Sequence, residues 1–146
     1  MNMVDKLDIM VADDNPDFVH LLKELCTTIN GINILGIARS EAMLVAKMNS
    51  GKPDLILLDL TPDMGGIQMV DTIRKANQDI NVIITYDPDN HDSDMLVQAL
   101  EMGAYECIEK PSSIKSRQYS EFRLHLLTII GLLRSRKRFS KKQTLE

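Results

Sequence analysis

The chain has 146 residues, 44% of them hydrophobic and 26% charged, which suits one globular domain with a full apolar core. Its formal net charge of −4 excludes a generally basic nucleic-acid binder, and no apolar stretch reaches the roughly 20 residues that a membrane span needs. The charge is uneven: acidic residues concentrate before residue 110, whereas Arg134-Ser135-Arg136-Lys137-Arg138 is basic.

Asp5 and Asp8 precede the first apolar run, so the start does not read as a signal peptide, and a cytoplasmic location is expected. The first strand is predicted over 8–12. Pro16 then opens a helix in which Phe18, Val19, Leu22, Leu25, Cys26 and Ile29 recur at helical spacing, with Asn30-Gly31 as the stop. Residues 33–38 read as a second strand, and Ser40 caps a second helix carrying Met43, Leu44 and Ala46. The run 55–59, apolar on both faces, reads as a central strand.

A loop rich in Pro and Gly covers 61–66, and Ile67, Met69, Val70 and Ile73 mark a third helix. A fourth strand is expected over 81–85, and a polar acidic loop over 87–94. Met95, Leu96, Ala99, Leu100 and Met102 form a fourth helix, for which Gly103 suits a left-handed C-terminal cap. A short fifth strand covers 106–108, and Tyr119, Phe122, Leu126, Leu127, Ile130 and Leu133 mark a long last helix. Strands alternating with helices predict an α/β fold with a parallel sheet. Cys26 and Cys107 lack metal-ligand spacing and are expected to be free thiols.

Polar residues stand where these strands stop. Asp13-Asp14 follows the first, Asp59 ends the third, Thr85 ends the fourth and Lys110 follows the fifth. Strand ends of an open parallel sheet converge on one crevice, where ligands bind. Two unit charges about 4 Å apart repel by about 4 kcal/mol at an effective dielectric of about 20. Three carboxylates there need compensation beyond one lysine, and a hard divalent cation such as Mg2+ supplies it.

This pattern resembles the receiver domain of bacterial two-component response regulators. The residues that carry the resemblance are Val11-Ala12-Asp13-Asp14-Asn15, Pro53-Asp54-Leu55-Ile56-Leu57-Leu58-Asp59-Leu60, Gly103-Ala104 and Lys110-Pro111. The resemblance implies a three-layer, doubly wound sheet of five parallel strands in the flavodoxin-like order 2-1-3-4-5, flanked by five helices. It implies that Asp59 accepts a phosphoryl group from a histidine kinase or phosphotransfer protein. Asp13, Asp14, Asp59 and the backbone carbonyl of Thr61 would hold Mg2+, Lys110 would pair with a phosphate oxygen, and Thr85 would bond the phosphate and relay the signal. A cis Lys110–Pro111 peptide is also implied. The receiver would span 5–133, with 134–146 as a basic tail or a linker to an effector domain. Gly36-Ile37-Ala38 and Lys110-Pro111-Ser112-Ser113 look similar to receivers joined to the chemotaxis methylesterase or to some transcription factors.

Several positions depart from the family pattern. The 60–66 loop is one residue short and lacks the Met before Pro62. Tyr86 replaces a small residue beside the switch hydroxyl, and either narrows access to the phosphate or lies against the loop that follows. Cys107 replaces the usual switch aromatic, with Tyr105 as a candidate substitute. Asp87, Asp89, Asp92 and Asp94 form either a second cation site or a solvated loop. These departures leave an alternative function, a pseudo-receiver that acts as a protein-interaction module without phosphorylation. A phosphatase with an Asp nucleophile is disfavoured, because Thr61 stands where a second acidic residue would act as acid/base. The chain is therefore expected to be a signalling domain and not an enzyme. Tyr119, Phe122, Leu126, Ile129, Ile130 and Leu133 either pack on the sheet or also face a partner. A homodimer through the face of the fourth helix, fifth strand and fifth helix is one such partnership. The basic run is read as a linker, with no direct role in binding nucleic acid or membrane.

Overall fold

In the computed structural model the described residues are 6–113 and 115–145, the last five of these as backbone only. Five strands form one parallel sheet: β1 (Leu7–Ala12), β2 (Ile32–Ala38), β3 (Leu55–Asp59), β4 (Asn81–Tyr86) and β5 (Glu106–Glu109). Their order is β2-β1-β3-β4-β5, the flavodoxin-like order expected. The helices are α1 (Pro16–Thr27), α2 (Glu41–Ser50), α3 (Ile67–Ala76), α4 (Ser93–Glu101) and α5 (Arg117–Leu145), with a short 3-10 turn at Pro62–Met64.

Period-2 alternation divides the strand side chains between two cores. Leu7, Ile9 and Val11 of β1, Leu55 and Leu57 of β3, and Ile83 of β4 join Phe18, Leu22 and Leu25 of α1 and Phe122, Leu126 and Ile130 of α5. Met10, Ala12, Ile56, Leu58, Val82 and Ile84 point the other way, onto Leu44 of α2, Met69, Val70 and Ile73 of α3, and Ala99 of α4. All of β3 is buried. Each of its four leucine and isoleucine side chains contributes about 1.5–3 kcal/mol by leaving water. That burial fixes the strand whose last residue is Asp59.

Local signals set the helix starts. The Asn15 side chain accepts the N–H groups of Asp17 and Phe18, and the Ser40 hydroxyl accepts that of Met43. Gly103 takes φ +112 after α4, as its position predicts. The acidic loop is shorter than expected, because the Asp92 carboxylate caps the N–H groups of Asp94 and Met95 and starts α4 at Ser93. β4 and β5 each run one residue past the expected end, to Tyr86 and Glu109.

α5 continues through the basic segment read as a tail. Arg134 donates to the Asn30 carbonyl, and Lys137 Nζ reaches the Lys6 carbonyl at 2.9 Å and Asp54 Oδ2 at 3.0 Å. Asp5, where the domain was expected to start, and Glu146 lie outside the described residues, as do the side chains of Lys141 and Lys142. No helix among the described residues is long and apolar enough to cross a membrane.

Candidate functional site

Strands β1, β3 and β4 end side by side, so their last polar residues meet. Asp59 and Thr85 are direct neighbours across the β3–β4 ladder. Asp13 is the first residue after β1, and its N–H donates to the Ala38 carbonyl at 3.0 Å. The Asn15 N–H turns back to Asp13 Oδ1 at 2.9 Å, which fixes the carboxylate on the crevice side. Asp13 is 1% exposed, Asp59 7% and Thr85 1%, while Asp14 is open to solvent. Carboxylate oxygens of Asp13, Asp14 and Asp59 all lie within 4.8 Å of one another.

Lys110 supplies the local counter-charge. Its Nζ lies 2.6 Å from Asp13 Oδ2 and 3.2 Å from Asp59 Oδ1. The Lys110 N–H donates to the Tyr86 carbonyl at 2.8 Å, which carries the β4–β5 ladder one step past the strand. The ammonium also stands 4.8 Å from the centre of the Phe18 ring. Residues Lys110 and Pro111 are joined by a trans peptide, since no cis bond occurs among the described residues. This corrects the cis geometry that the resemblance implied: the ladder bond to Tyr86 already aims Lys110 at the crevice.

One ammonium for three carboxylates leaves the cluster short of positive charge. Burial raises the Asp59 carboxyl above its ordinary value of 3.8; Lys110 pulls it down, and Asp13 and Asp14 push it up. The Thr85 hydroxyl is buried without a hydrogen-bond partner. The donor set is all oxygen, clustered and under-compensated, which fits a hard divalent cation.

A cavity of about 190 Å3 opens over these groups, bordered by Asp14, Asp59, Thr61, Tyr86, His91 and Lys110. The Tyr86 ring lies against the loop after β4, with its centroid 4.8 Å from that of His91. The expectation that Tyr86 lies against that loop holds, and the ring also borders the cavity. The Asp87, Asp89, Asp92 and Asp94 segment forms turns and a cap. Asp87 Oδ1 accepts the Asp89 N–H at 2.9 Å, and Asp92 caps α4. Among the described residues, the carboxylate cluster able to hold a metal is Asp13, Asp14 and Asp59.

The Thr61 carbonyl, a metal ligand by the resemblance, lies at the start of the short turn after β3. It accepts the N–H groups of Met64 at 3.0 Å and Gly66 at 2.9 Å. Cys26 and Cys107 are free, and burial pushes each thiol up to about 11. Tyr105 stands 36% exposed, with the Arg136 guanidinium 5.9 Å from its ring centre, and is not among the residues that border the cavity. Sequence reasoning missed two contributors to the site, Phe18 beneath Lys110 and His91 against Tyr86. Phe18 carried only a helical-period signal, and His91 only its place in a polar loop.

The family model of the response regulator receiver domain matches residues 9–117. The chain belongs to that family. Among curated relatives, this receiver is 30% identical over 106 residues to a protein-glutamate methylesterase/protein-glutamine glutaminase of Desulfotalea psychrophila. It is 29% identical over 111 residues to a second such protein from Vibrio vulnificus. Those matches cover 72% and 75% of this chain but only 29% and 32% of the relatives, so the receiver spans under a third of their length. Among solved structures, the response regulator domain of Thermotoga maritima CheB aligns with a TM-score of 0.74 at 24% identity, over 89% of this chain and 97% of that one. The signal receiver domain of a putative Luxo repressor from Vibrio parahaemolyticus aligns at 0.73 and 23% identity, over 93% and 95%. These two likenesses concern the fold.

Proposed function

We propose that this receiver is a phosphoacceptor switch, with Asp59 as the acceptor and a histidine kinase or phosphotransfer protein as the donor, in the cytoplasm. The observation that carries this reading is the ion-pair geometry, in which one lysine bridges Asp13 at 2.6 Å and Asp59 at 3.2 Å beside the exposed Asp14. A carboxylate is a weak nucleophile, so phosphoryl transfer depends on positioning and on neutralising charge.

Asp13, Asp14, Asp59 and the backbone carbonyl of Thr61 would hold Mg2+. When bound, the ion supplies positive charge to the transferring phosphoryl oxygens and lowers the carboxyl affinity of Asp59 for protons. In the transfer an Asp59 oxygen forms a bond to phosphorus as the phosphorus–nitrogen bond of the donor phosphohistidine breaks. The imidazole leaves with the bonding pair and takes up a proton. Lys110 would then pair with a phosphoryl oxygen, and the unpartnered Thr85 hydroxyl would donate to another.

Output would use the face of α4, β5 and α5. Val97 and Leu100 of α4 are exposed, and Leu132 lies one turn before Arg136 on α5. That face would take a second copy or an effector domain.

A second reading, a phosphorylation-independent interaction module, draws support from Tyr86 and His91 at the rim of the cavity. Incubation with acetyl phosphate, followed by intact mass, separates the two. The phosphoacceptor reading predicts one added phosphoryl group that requires Mg2+ and disappears in Asp59→Asn. An unmodified protein that still binds Mg2+ would favour the interaction module.

A further inference from the structure

We propose that Phe18 is a positioning residue of the site, whose ring face keeps the Lys110 ammonium in the crevice when the carboxylates are shared with a divalent cation. This rests on reading the crevice as a cation-dependent phosphoacceptor site, and assigns a further residue to that site.

Three observations lead here. First, Lys110 Nζ lies over the Phe18 ring, 4.8 Å from its centre, within the reach of a cation–π contact. The Lys110 side chain is 11% exposed, so the contact is largely desolvated, where such contacts are strongest. Second, the ring is fixed from two directions. The Asn15 side chain accepts the Phe18 N–H at 3.2 Å, while the Asn15 N–H donates to Asp13 Oδ1 at 2.9 Å, which ties the ring to the site. From α5, Phe122 meets the Phe18 ring at 74°, with ring centres 5.8 Å apart. Third, the ion pairs of the ammonium go to Asp13 Oδ2 at 2.6 Å and Asp59 Oδ1 at 3.2 Å, both members of the carboxylate cluster.

The carboxylates that hold the lysine are also those that would hold the cation. In the loaded site their pull on the ammonium is divided, and further positive charge stands nearby. The pull of the ring is undivided, because hard divalent cations take oxygen ligands and leave an aromatic face alone. Lys110 must remain in the crevice to pair with a phosphoryl oxygen. Phe18 therefore supplies the part of its restraint that metal loading does not consume. An aliphatic side chain at this position would pack in the core but offer the ammonium no negative face.

The test places phenylalanine with one, two or three ring fluorines at position 18 of the whole chain. Fluorine withdraws charge from the ring face and changes the ring volume little. With acetyl phosphate and saturating Mg2+, the phosphorylation rate should fall stepwise with each fluorine, to about one tenth with three. In the wild type, NMR should show the Lys110 ε-methylene protons moved upfield by the ring current. That shift should persist when Mg2+ is added and vanish in Phe18→Leu. A rate that stays flat across the series would overturn the proposal and reduce Phe18 to core packing. Loss of the upfield shift on adding Mg2+ would also overturn it, since the lysine would then leave the ring. A wild type that takes no phosphoryl group would instead defeat the phosphoacceptor reading, and this inference with it.

Discussion

Asp59 is held in a state that its own fold disfavours. Its carboxyl binds protons more tightly folded than unfolded, because burial and the neighbouring Asp13 and Asp14 outweigh the pull of Lys110. Between the unfolded value of 3.8 and the higher folded value, the native state carries more protons, so stability falls as pH rises through that window. At neutral pH the ionised group destabilises the metal-free protein. Asp59→Asn is therefore expected to raise the melting temperature in chelator at neutral pH. The gain should shrink as pH falls through the raised value; a lower melting temperature for the variant would contradict this. The thiols respond to burial in the same direction. With both near 11, Cys26 and Cys107 should react slowly with iodoacetamide at neutral pH unless the chain is unfolded. Asp13, Asp59, Thr85 and Lys110 were legible in the sequence because each ends or follows an apolar strand. The hydrogen bonds of the Thr61 carbonyl were not, since its partners Met64 and Gly66 depend on how a short loop closes.

At the scale of elements, the loop from β3 to α3 decides how the site is finished. Gly66 sits at φ +58 and ψ −151, a region open almost only to glycine, and an added Cβ would meet nothing within 4 Å. Gly66→Ala should therefore lose about 1–3 kcal/mol by backbone strain alone, read by urea unfolding. Loss of less than that would mean the loop relaxes, and its hydrogen bond to Thr61 with it. Strand positions were readable because the apolar runs are short, dense and interrupted by turn residues. The start of α4 was not, because four aspartates in eight residues look alike until geometry makes Asp92 the cap. The stripe on α5 was readable as core, whereas the exposed apolar residues beside it were not. Phe122, Leu126, Ile129, Ile130 and Leu133 are buried against the sheet, whereas Leu124, Leu132 and Phe139 face solvent. Local spacing marks a helix without saying which side its sheet will cover.

Across the whole molecule, α5 ties the late part of the chain back to the starts of β1 and β3. Lys137 spans 83 residues of sequence to reach Asp54, at the end of the sheet away from the Asp59 crevice, and also holds the Lys6 carbonyl. The pairing of the basic segment was not legible, because charge runs are usually solvated and its ion pair is a long-range contact. Lys137→Met should lower stability by about 1 kcal/mol, and adding Asp54→Asn should cost less than the sum of the two changes. Full additivity by chemical unfolding would mean the pair does not couple. This tether lies at the end of the sheet opposite the crevice.

The most direct test of the central claim is an amide NMR titration with beryllofluoride, a mimic of the aspartyl phosphoryl group, with and without Mg2+. The account predicts Mg2+-dependent shifts at Asp59, Thr85 and Lys110 that extend to α4 and are absent in Asp59→Asn. An unchanged spectrum in the presence of both ions would contradict a phosphoacceptor site at Asp59.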